Sequence, residues 1–175
     1  MSQVREIAQL GAEVLRLTAI EVSDINAPTI QALLSDMLTT LADTNGVGIA
    51  APQIAESWRV MIIASRPSPR YPHAPEMEPT VMVNPHFEPV SAIKESDWEG
   101  CLSIPGIRAR VPRYKDITVN YQSAAGEQVK QSLTGFVARV FQHEYDHLDG
   151  IVYLDRVTDN RDIIAEAEFA KLMAK

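Results

Sequence analysis

The hexapeptide Gln142-His143-Glu144-Tyr145-Asp146-His147 contains an H-E-x-x-H pattern within a stretch that favours helix. Residues four apart lie on one face of an α-helix, with about 5–6 Å between their Cβ atoms. His143 and His147 can therefore bind one divalent metal ion, and Glu144 can reach a water molecule beside that ion. This arrangement indicates a metal-dependent hydrolase, whose class depends on the third protein ligand.

Several positions compete for the role of third ligand. A metzincin protease would continue to a third histidine after Gly150, but Tyr153 stands at that position. A thermolysin-like peptidase would use a glutamate from a later helix, for which Glu166 and Glu168 are candidates. The other candidate is Cys101, the single cysteine of the chain. A thiolate with two imidazoles forms a three-ligand site with an open position for water, so the residues alone leave both possibilities open.

Three blocks of the chain resemble the signatures of the peptide deformylase family. They are residues 46–53 (GVGIAAPQ), 99–105 (EGCLSIP) and 142–150 (QHEYDHLDG), in that order. Ile49 stands where the family usually has leucine, a swap of similar volume that usually costs little. The resemblance covers most of the chain. It implies a hydrolase that removes the formyl group from the N-terminal formyl-methionine of newly made polypeptides.

The resemblance also implies roles for individual residues. The expected metal ligands are Cys101, His143 and His147. Glu144 would act as general base and acid, while the side-chain amide of Gln53 and the backbone N–H of Leu102 would stabilise charge on the formyl oxygen. The residues expected to contact substrate are Val47, Gly48, Gly100, Phe136, Arg139 and Val140. Among them, Arg139 is expected at the rim of an apolar pocket for the methionine side chain.

One divalent metal ion is expected as cofactor. One thiolate and two imidazoles suit zinc, ferrous iron, cobalt or nickel, so the ligands do not determine the ion. The resemblance favours Fe2+, because the family is known for using ferrous iron. A non-catalytic module, in which a metal serves folding alone, is a further alternative beside the thermolysin-like peptidase.

Composition is that of a small globular protein. The 175 residues, 46% of them apolar and 22% charged, predict one domain spanning residues 1–175. The net charge of −7 argues against a general nucleic-acid binder. A single cysteine is compatible with a reducing compartment. Neither a secretory signal nor an apolar stretch of roughly 18 residues is recognisable, so we expect a cytoplasmic enzyme without membrane partners.

The secondary-structure pattern predicts an α+β fold. A helix is expected to begin with Asn26 as N-cap and to end at Asn45. Strands are predicted near residues 58–63, 81–83, 107–111, 117–121 and 128–133, and helices over 136–148 and 161–173. Five prolines predict a loop over 66–79. Without regular βαβ alternation, antiparallel sheets should pack around the central metal-binding helix, flanked by an N-terminal and a C-terminal helix.

Two further expectations concern charged residues and partners. Glu99 is a candidate ion-pair partner of Arg108 across the turn that follows Cys101. Residues 161–175 carry three basic and three acidic side chains, so their net charge is zero. Binding to a phosphate-rich surface depends mainly on Lys and Arg contacts. We therefore expect weak ribosome association, with N-formyl-methionyl nascent peptides as the principal partner.

Overall fold

The computed structural model describes residues 2–68 and 71–174. This part of the chain contains three α-helices and eight β-strands. The helices are α1 (Pro28–Ala42), α2 (Gly135–Leu148) and α3 (Glu166–Met173). The strands are β1 (Gly48–Ala50), β2 (Val60–Ser65), β3 (Met77–Pro89), β4 (Lys94–Cys101), β5 (Ile104–Tyr114), β6 (Asp116–Gln122), β7 (Gln128–Thr134) and β8 (Ile163–Ala165). Across the described residues, none of the helices has the length and apolar character that crossing a membrane requires.

The strands form two antiparallel sheets. Five strands pair in the order β1-β2-β3-β6-β7, and three pair in the order β4-β5-β8. Helix α2 contacts strands of both sheets, so the helix that carries the H-E-x-x-H pattern lies at the centre of the molecule. The α+β prediction is therefore confirmed.

Strand β2 shows why the large sheet is covered on both faces. Met61 and Ile63 belong to the apolar cluster that includes α2, whereas Val60 and Ile62 belong to the cluster around α1. All four side chains are fully buried. A strand buried on both faces is continuously apolar rather than alternating. Burying each such side chain contributes about 1.5–3 kcal/mol, so β2 helps to hold α2 on one face of the sheet and α1 on the other.

Helix α1 begins one residue away from the predicted position. Its N-cap is Ala27, not Asn26, and Ala27 has extended backbone angles (φ −55°, ψ 132°). The α conformation is disfavoured for a residue that precedes proline, so the helix begins at Pro28. It ends at Ala42, before the predicted end at Asn45.

Part of the first signature block is a strand that the sequence pattern did not predict. Gly48–Ala50 form β1, which pairs with β2, and Ala51–Ile54 form one 3-10 turn. A strand of three residues is too short to show an alternating pattern in the sequence. The pairing places this block at one edge of the large sheet.

The loop prediction for residues 66–79 is wrong at its C-terminal end. Strand β3 begins at Met77 and includes Pro79. Its pairing with β2 is irregular between Ile63 and Ser65, opposite this part of β3. Proline, which has no N–H for the ladder, is tolerated at such irregularities. Positions 69 and 70 of the predicted loop lie outside the described residues.

The predicted C-terminal helix starts too early. Residues Ile163–Ala165 form β8, in which Ile164 pairs with Arg108 of β5. β-branched residues favour strands, and the edge of β5 offers unpaired backbone groups for such a pairing. Helix α3 follows at Glu166. The C-terminal segment is thereby attached to the sheet that carries Cys101.

Candidate metal centre

The polar side chains of the H-E-x-x-H pattern are buried together on α2. His143, Glu144 and His147 are 8%, 4% and 0% exposed, and the two imidazole centroids lie 5.3 Å apart. Gly135 has a positive φ of 57°, a conformation that glycine adopts without strain, so the chain passes directly from β7 into α2. Burying polar groups is costly unless they are paired or liganded. These three side chains therefore need partners.

Cys101 meets the histidines from the end of β4. Its Sγ lies 3.3 Å from Nε2 of His147, close to the roughly 3.5 Å that separates two ligand atoms of a tetrahedral ion. The ligand atoms of Cys101, His143 and His147 all lie within 4.8 Å of one another. Among the described residues, no other set of three His, Cys, Asp or Glu side chains converges in this way. The cluster fits one divalent cation.

Two buried atoms of the cluster lack a hydrogen-bond partner among the described residues. They are Oε2 of Glu144 and Nδ1 of His147. Most buried polar atoms are hydrogen-bonded, so each exception calls for an explanation. The Glu144 oxygen is explained if it serves a reacting molecule rather than the fold.

Glu99 binds one histidine of the cluster and two arginines. Its Oε2 lies 2.8 Å from Nδ1 of His143. Arg113 donates from Nε and Nη2 to its two oxygens at 2.9 and 3.0 Å, and Arg139 donates from Nη1 at 2.9 Å. A carboxylate behind a ligand histidine fixes the orientation of the ring. Glu99 thus holds His143 through Nδ1, so Nε2 is the ring atom that can bind a metal.

The predicted pair between Glu99 and Arg108 is wrong. Glu99 lies opposite Ala109 in the β4–β5 register. Alternate residues of a strand face the same side, so Arg113 shares the side of Glu99 while Arg108 faces away. Arg108 instead donates from Nε and Nη2 to Oε1 of Glu166, at 3.2 and 3.1 Å.

Burial changes the acid–base properties of the cluster. It raises the pKa of Glu144 to about 7, a value suited to both accepting and donating a proton near neutrality. Burial lowers the pKa of His147 below its usual range. Burial also acts to lower the pKa of His143, but hydrogen bonds with Cys101 and Glu99 raise it overall. Neutral imidazole is the form that binds metal.

Gln53 points its amide nitrogen at the cluster. The side chain is 1% exposed, and its Oε1 accepts a hydrogen bond from the backbone N–H of Ala50 at 2.8 Å. Its Nε2 consequently lies 3.5 Å from the Cys101 sulfur and 3.2 Å from Oγ of Ser103. Leu102, predicted as the second donor, follows the cysteine and lines the same cleft.

One cleft brings the predicted substrate residues to the metal cluster. The predicted residues that line it are Val47, Gly48, Gly100, Phe136, Arg139 and Val140, beside Cys101, His143 and Glu144. Gly48 has a steric reason to be glycine, because a Cβ there would lie 2.5 Å from Oε1 of Glu144. Tyr71 and Trp98 also line this cleft, although no sequence pattern predicted them.

Arg139 is more buried than predicted. It is 7% exposed, because its guanidinium also donates to the backbone oxygens of Val111 and Glu95 at 2.7 and 2.5 Å. Asp146 and Arg113, which form a further ion pair at 2.5 Å, were not predicted either. The signal for Asp146 was its position on the helix one turn beyond His143.

Neither glutamate proposed as an alternative ligand lies with the histidines. The carboxylate of Glu166 binds Arg108. Glu168 is 59% exposed and pairs with Lys171 at 2.6 Å. The thermolysin-like arrangement therefore lacks its third ligand within the described residues.

Comparisons with known proteins agree with this geometry. The family model described as polypeptide deformylase matches residues 4–162. The chain is 54% identical to peptide deformylase 2 of Nostoc sp. over 169 residues, which covers 97% of this chain and 94% of that protein. It is 45% identical to peptide deformylase 1 of Nitrosomonas europaea over 158 residues, or 90% of each protein.

Solved structures are similar over the same extent. A class I type b peptide deformylase from Acinetobacter baumannii with Met-Ala-Ser bound has a TM-score of 0.86 at 45% identity, covering 90% of this chain and all (100%) of that one. The peptide deformylase of Thermotoga maritima has a TM-score of 0.78 at 34% identity, covering 90% of this chain and 99% of that one.

Proposed function

Because the chain belongs to the polypeptide deformylase family, we propose that Cys101, His143 and His147 hold the metal of this enzyme and that Glu144 is its general base. Members of the family are metal-dependent hydrolases, and this chain removes the formyl group from nascent polypeptides. One observation carries the residue assignment. Three ligand atoms converge within 4.8 Å beside a buried glutamate whose Oε2 lacks a partner among the described residues.

The ligand set suits a soft or borderline cation. We propose Fe2+ as the native ion, with Zn2+, Ni2+ and Co2+ as ions that the same thiolate and imidazoles accept. When bound, such an ion supplies Lewis-acid chemistry, which lowers the pKa of a water molecule toward about 7. The protein residues carry the remaining steps.

Glu144 moves the proton. Its carboxylate accepts a proton from the attacking water, whose oxygen forms a bond to the formyl carbon. With a pKa of about 7, the same carboxyl then donates this proton to the departing amine nitrogen. The carbon–nitrogen bond breaks, formate leaves, and the polypeptide retains a free amino terminus. Gly48 allows this close approach, since it leaves space beside Oε1.

Gln53 and Leu102 stabilise the charge that develops on the formyl oxygen. Gln53 can donate from Nε2, which Ala50 orients through the other end of the amide. The backbone N–H of Leu102 is the second donor. Removing one donor of this kind typically lowers the rate by roughly 100- to 1000-fold.

The substrate lies as an extended strand along the cleft. Backbone groups near Gly48 and Gly100 bind it by strand addition, and its methionine side chain enters the pocket lined by Val47, Phe136 and Val140. Because the formyl group is small, a narrow space at the metal excludes larger acyl groups. We further propose a cytoplasmic location and only weak ribosome association, as the neutral charge of residues 161–175 suggests.

The decisive experiment measures release of formate from formyl-Met-Ala-Ser by protein purified without oxygen and reconstituted with Fe2+. We expect turnover with the formyl peptide and none with acetyl-Met-Ala-Ser. Metal content should be one ion per chain. Failure to release formate while one ion is bound would contradict the proposed residue roles and favour the non-catalytic module.

A further inference from the structure

A cluster of side chains connects α3 to the substrate cleft. Phe169 is the buried residue of α3 and is 6% exposed. Its ring lies edge-on to Trp98 at 5.8 Å between centroids, and the guanidinium carbon of Arg108 lies 4.7 Å from its centroid. Phe169 therefore contacts one residue of β4 and one residue of β5 at the same time.

Trp98 stands between Phe169 and the cleft. It lies on β4, three positions before Cys101, and is half-buried. It is among the residues that line the cleft. Trp98 therefore connects α3 to this wall of the cleft.

Arg108 makes a second connection from the same helix. The side chain is 0% exposed, and its Nη1 donates to the hydroxyl of Tyr71 at 2.9 Å while Nε and Nη2 donate to Glu166. Tyr71 packs on Phe136 at 4.8 Å between centroids. Both of these rings line the cleft, so α3 is connected to two of its walls.

The contacts of Arg108 hold its guanidinium in one position. A fully buried guanidinium is costly unless its donors are paired, and its planar fork presents those donors in fixed directions. The Phe169 ring covers the face of this fork, and Glu166 neutralises its charge. Moving Phe169 or Glu166 would therefore also displace the Arg108 donor that holds Tyr71.

We infer that Phe169 sets the side-chain selectivity of the cleft by positioning Trp98 directly and Tyr71 through Arg108. This inference rests on the proposed function, which assigns the cleft to the first side chain of the substrate. Trp98 and Tyr71 are then specificity-determining residues. Phe169, which lies behind them, is a positioning residue.

The effect should appear in selectivity and not in the chemical step. One methylene group in an apolar pocket is worth about 10- to 200-fold in kcat/KM, so looser walls discriminate less between side chains of different size. The metal ligands and Glu144 come from α2 and from the end of β4, whereas Phe169 lies on α3. We therefore expect KM to change more than kcat.

The experiment compares kcat/KM for formyl-Met-Ala-Ser, formyl-Ala-Ala-Ser and formyl-Phe-Ala-Ser. For Phe169→Ala we expect the preference for methionine over alanine to fall by about tenfold, through KM. Phe169→Leu, which retains most of the buried volume, should show a smaller fall in the same direction. Leu172→Ala is the matched control, because Leu172 lies on the same helix and is 44% exposed. Its selectivity should equal that of the unmodified protein.

Fluorescence gives a second readout that is independent of turnover. In a Trp58→Phe background, Trp98 is the sole tryptophan, and its emission should shift to longer wavelength in Phe169→Ala. If Phe169→Ala does not fold, Phe169→Leu decides the question. Unchanged selectivity, or an equal fall for all three peptides, would overturn the inference while leaving the proposed function intact. Absence of formate release from the unmodified enzyme would instead contradict the proposed function.

Discussion

Helix α2 carries two groups of buried polar residues that differ in how completely they are paired. Gln142 exchanges hydrogen bonds with both backbone groups of Tyr114, and Asp146 binds the guanidinium groups of Arg113 and Arg156. On the cleft side, by contrast, Glu144 retains one oxygen without a partner among the described residues. Full pairing indicates a structural role, whereas an unpaired buried atom beside a cleft indicates a role toward a ligand.

Substitutions in the two groups should therefore affect different properties, namely stability in one and metal binding or turnover in the other. Substitutions on the paired side leave buried charges without partners, which reduces the free energy of unfolding. Substitutions on the cleft side remove groups that the fold does not use, so they should reduce metal binding or turnover at nearly constant stability. The following predictions test this contrast.

Replacing Cys101 by serine should have the largest effect. A metal deprotonates a thiol readily, but the serine hydroxyl does not ionise near neutral pH. Cys101→Ser should therefore lose most of its bound metal and its activity. Metal analysis provides the measurement, and the cobalt-substituted wild type should show a thiolate charge-transfer band that the variant lacks. Full metal content in Cys101→Ser would show that another residue completes the site.

Glu144→Gln and Asp146→Asn form a matched pair on the two sides of α2. Glu144→Gln should retain metal and stability, but it should lose about 100- to 10,000-fold in kcat because glutamine cannot accept the proton. Asp146→Asn should be nearly normal in kcat, yet its free energy of unfolding should fall by about 1.5–3 kcal/mol, because Arg113 loses one of its two anionic partners. Steady-state kinetics and urea denaturation measure both quantities. A Glu144→Gln variant with wild-type turnover would end the proposed mechanism.

Glu99→Gln should reduce both metal affinity and stability, because Glu99 binds His143 as well as Arg113. Loss of a carboxylate behind a ligand histidine typically lowers metal affinity by about 10- to 100-fold. Competition with a chelator measures this change. An unaltered affinity would mean that Glu99 supports the fold alone.

The same variant has a pH signature in the metal-free protein. Burial alone would raise the pKa of Glu99, but the Arg113 and His143 charges hold that pKa well below its usual 4.5. A carboxyl with a lower pKa in the folded state stabilises the fold above its unfolded-state pKa and loses that contribution as the pH falls. The stability deficit of Glu99→Gln should therefore be full at neutral pH and should narrow below about pH 4.5. A deficit independent of pH would contradict this assignment.

Truncation after Asn160 should have the smallest effect on kcat. It removes β8 and Phe169, whose burial contributes about 1.5–3 kcal/mol, so the melting temperature should fall by about 5–10 °C. Ribosome co-sedimentation should change little, because residues 161–175 carry no net charge. Loss of co-sedimentation with an unchanged melting temperature would instead show that residues 161–175 bind the ribosome and do not stabilise the fold.

Local patterns predicted most of the helices and strands. The apolar stripe of α2 and the alternation in β5, β6 and β7 are visible in short windows, because the period of side-chain directions belongs to the element itself. The boundaries that failed depend on neighbours. β8 requires the edge of β5, and the entry of Pro79 into β3 requires an irregularity in β2.

The sequence by itself determined that two histidines and a glutamate lie together on α2, because helical spacing fixes their relative positions. The family resemblance added Cys101. Only the tertiary structure decided that Glu99 pairs with Arg113 and not with Arg108, since that choice follows from the β4–β5 register. It also brought Tyr71 and Trp98 to one cleft and packed Phe169 against Trp98. The physical reason is that strand register and packing between distant segments arise from contacts across the chain, which no local period encodes.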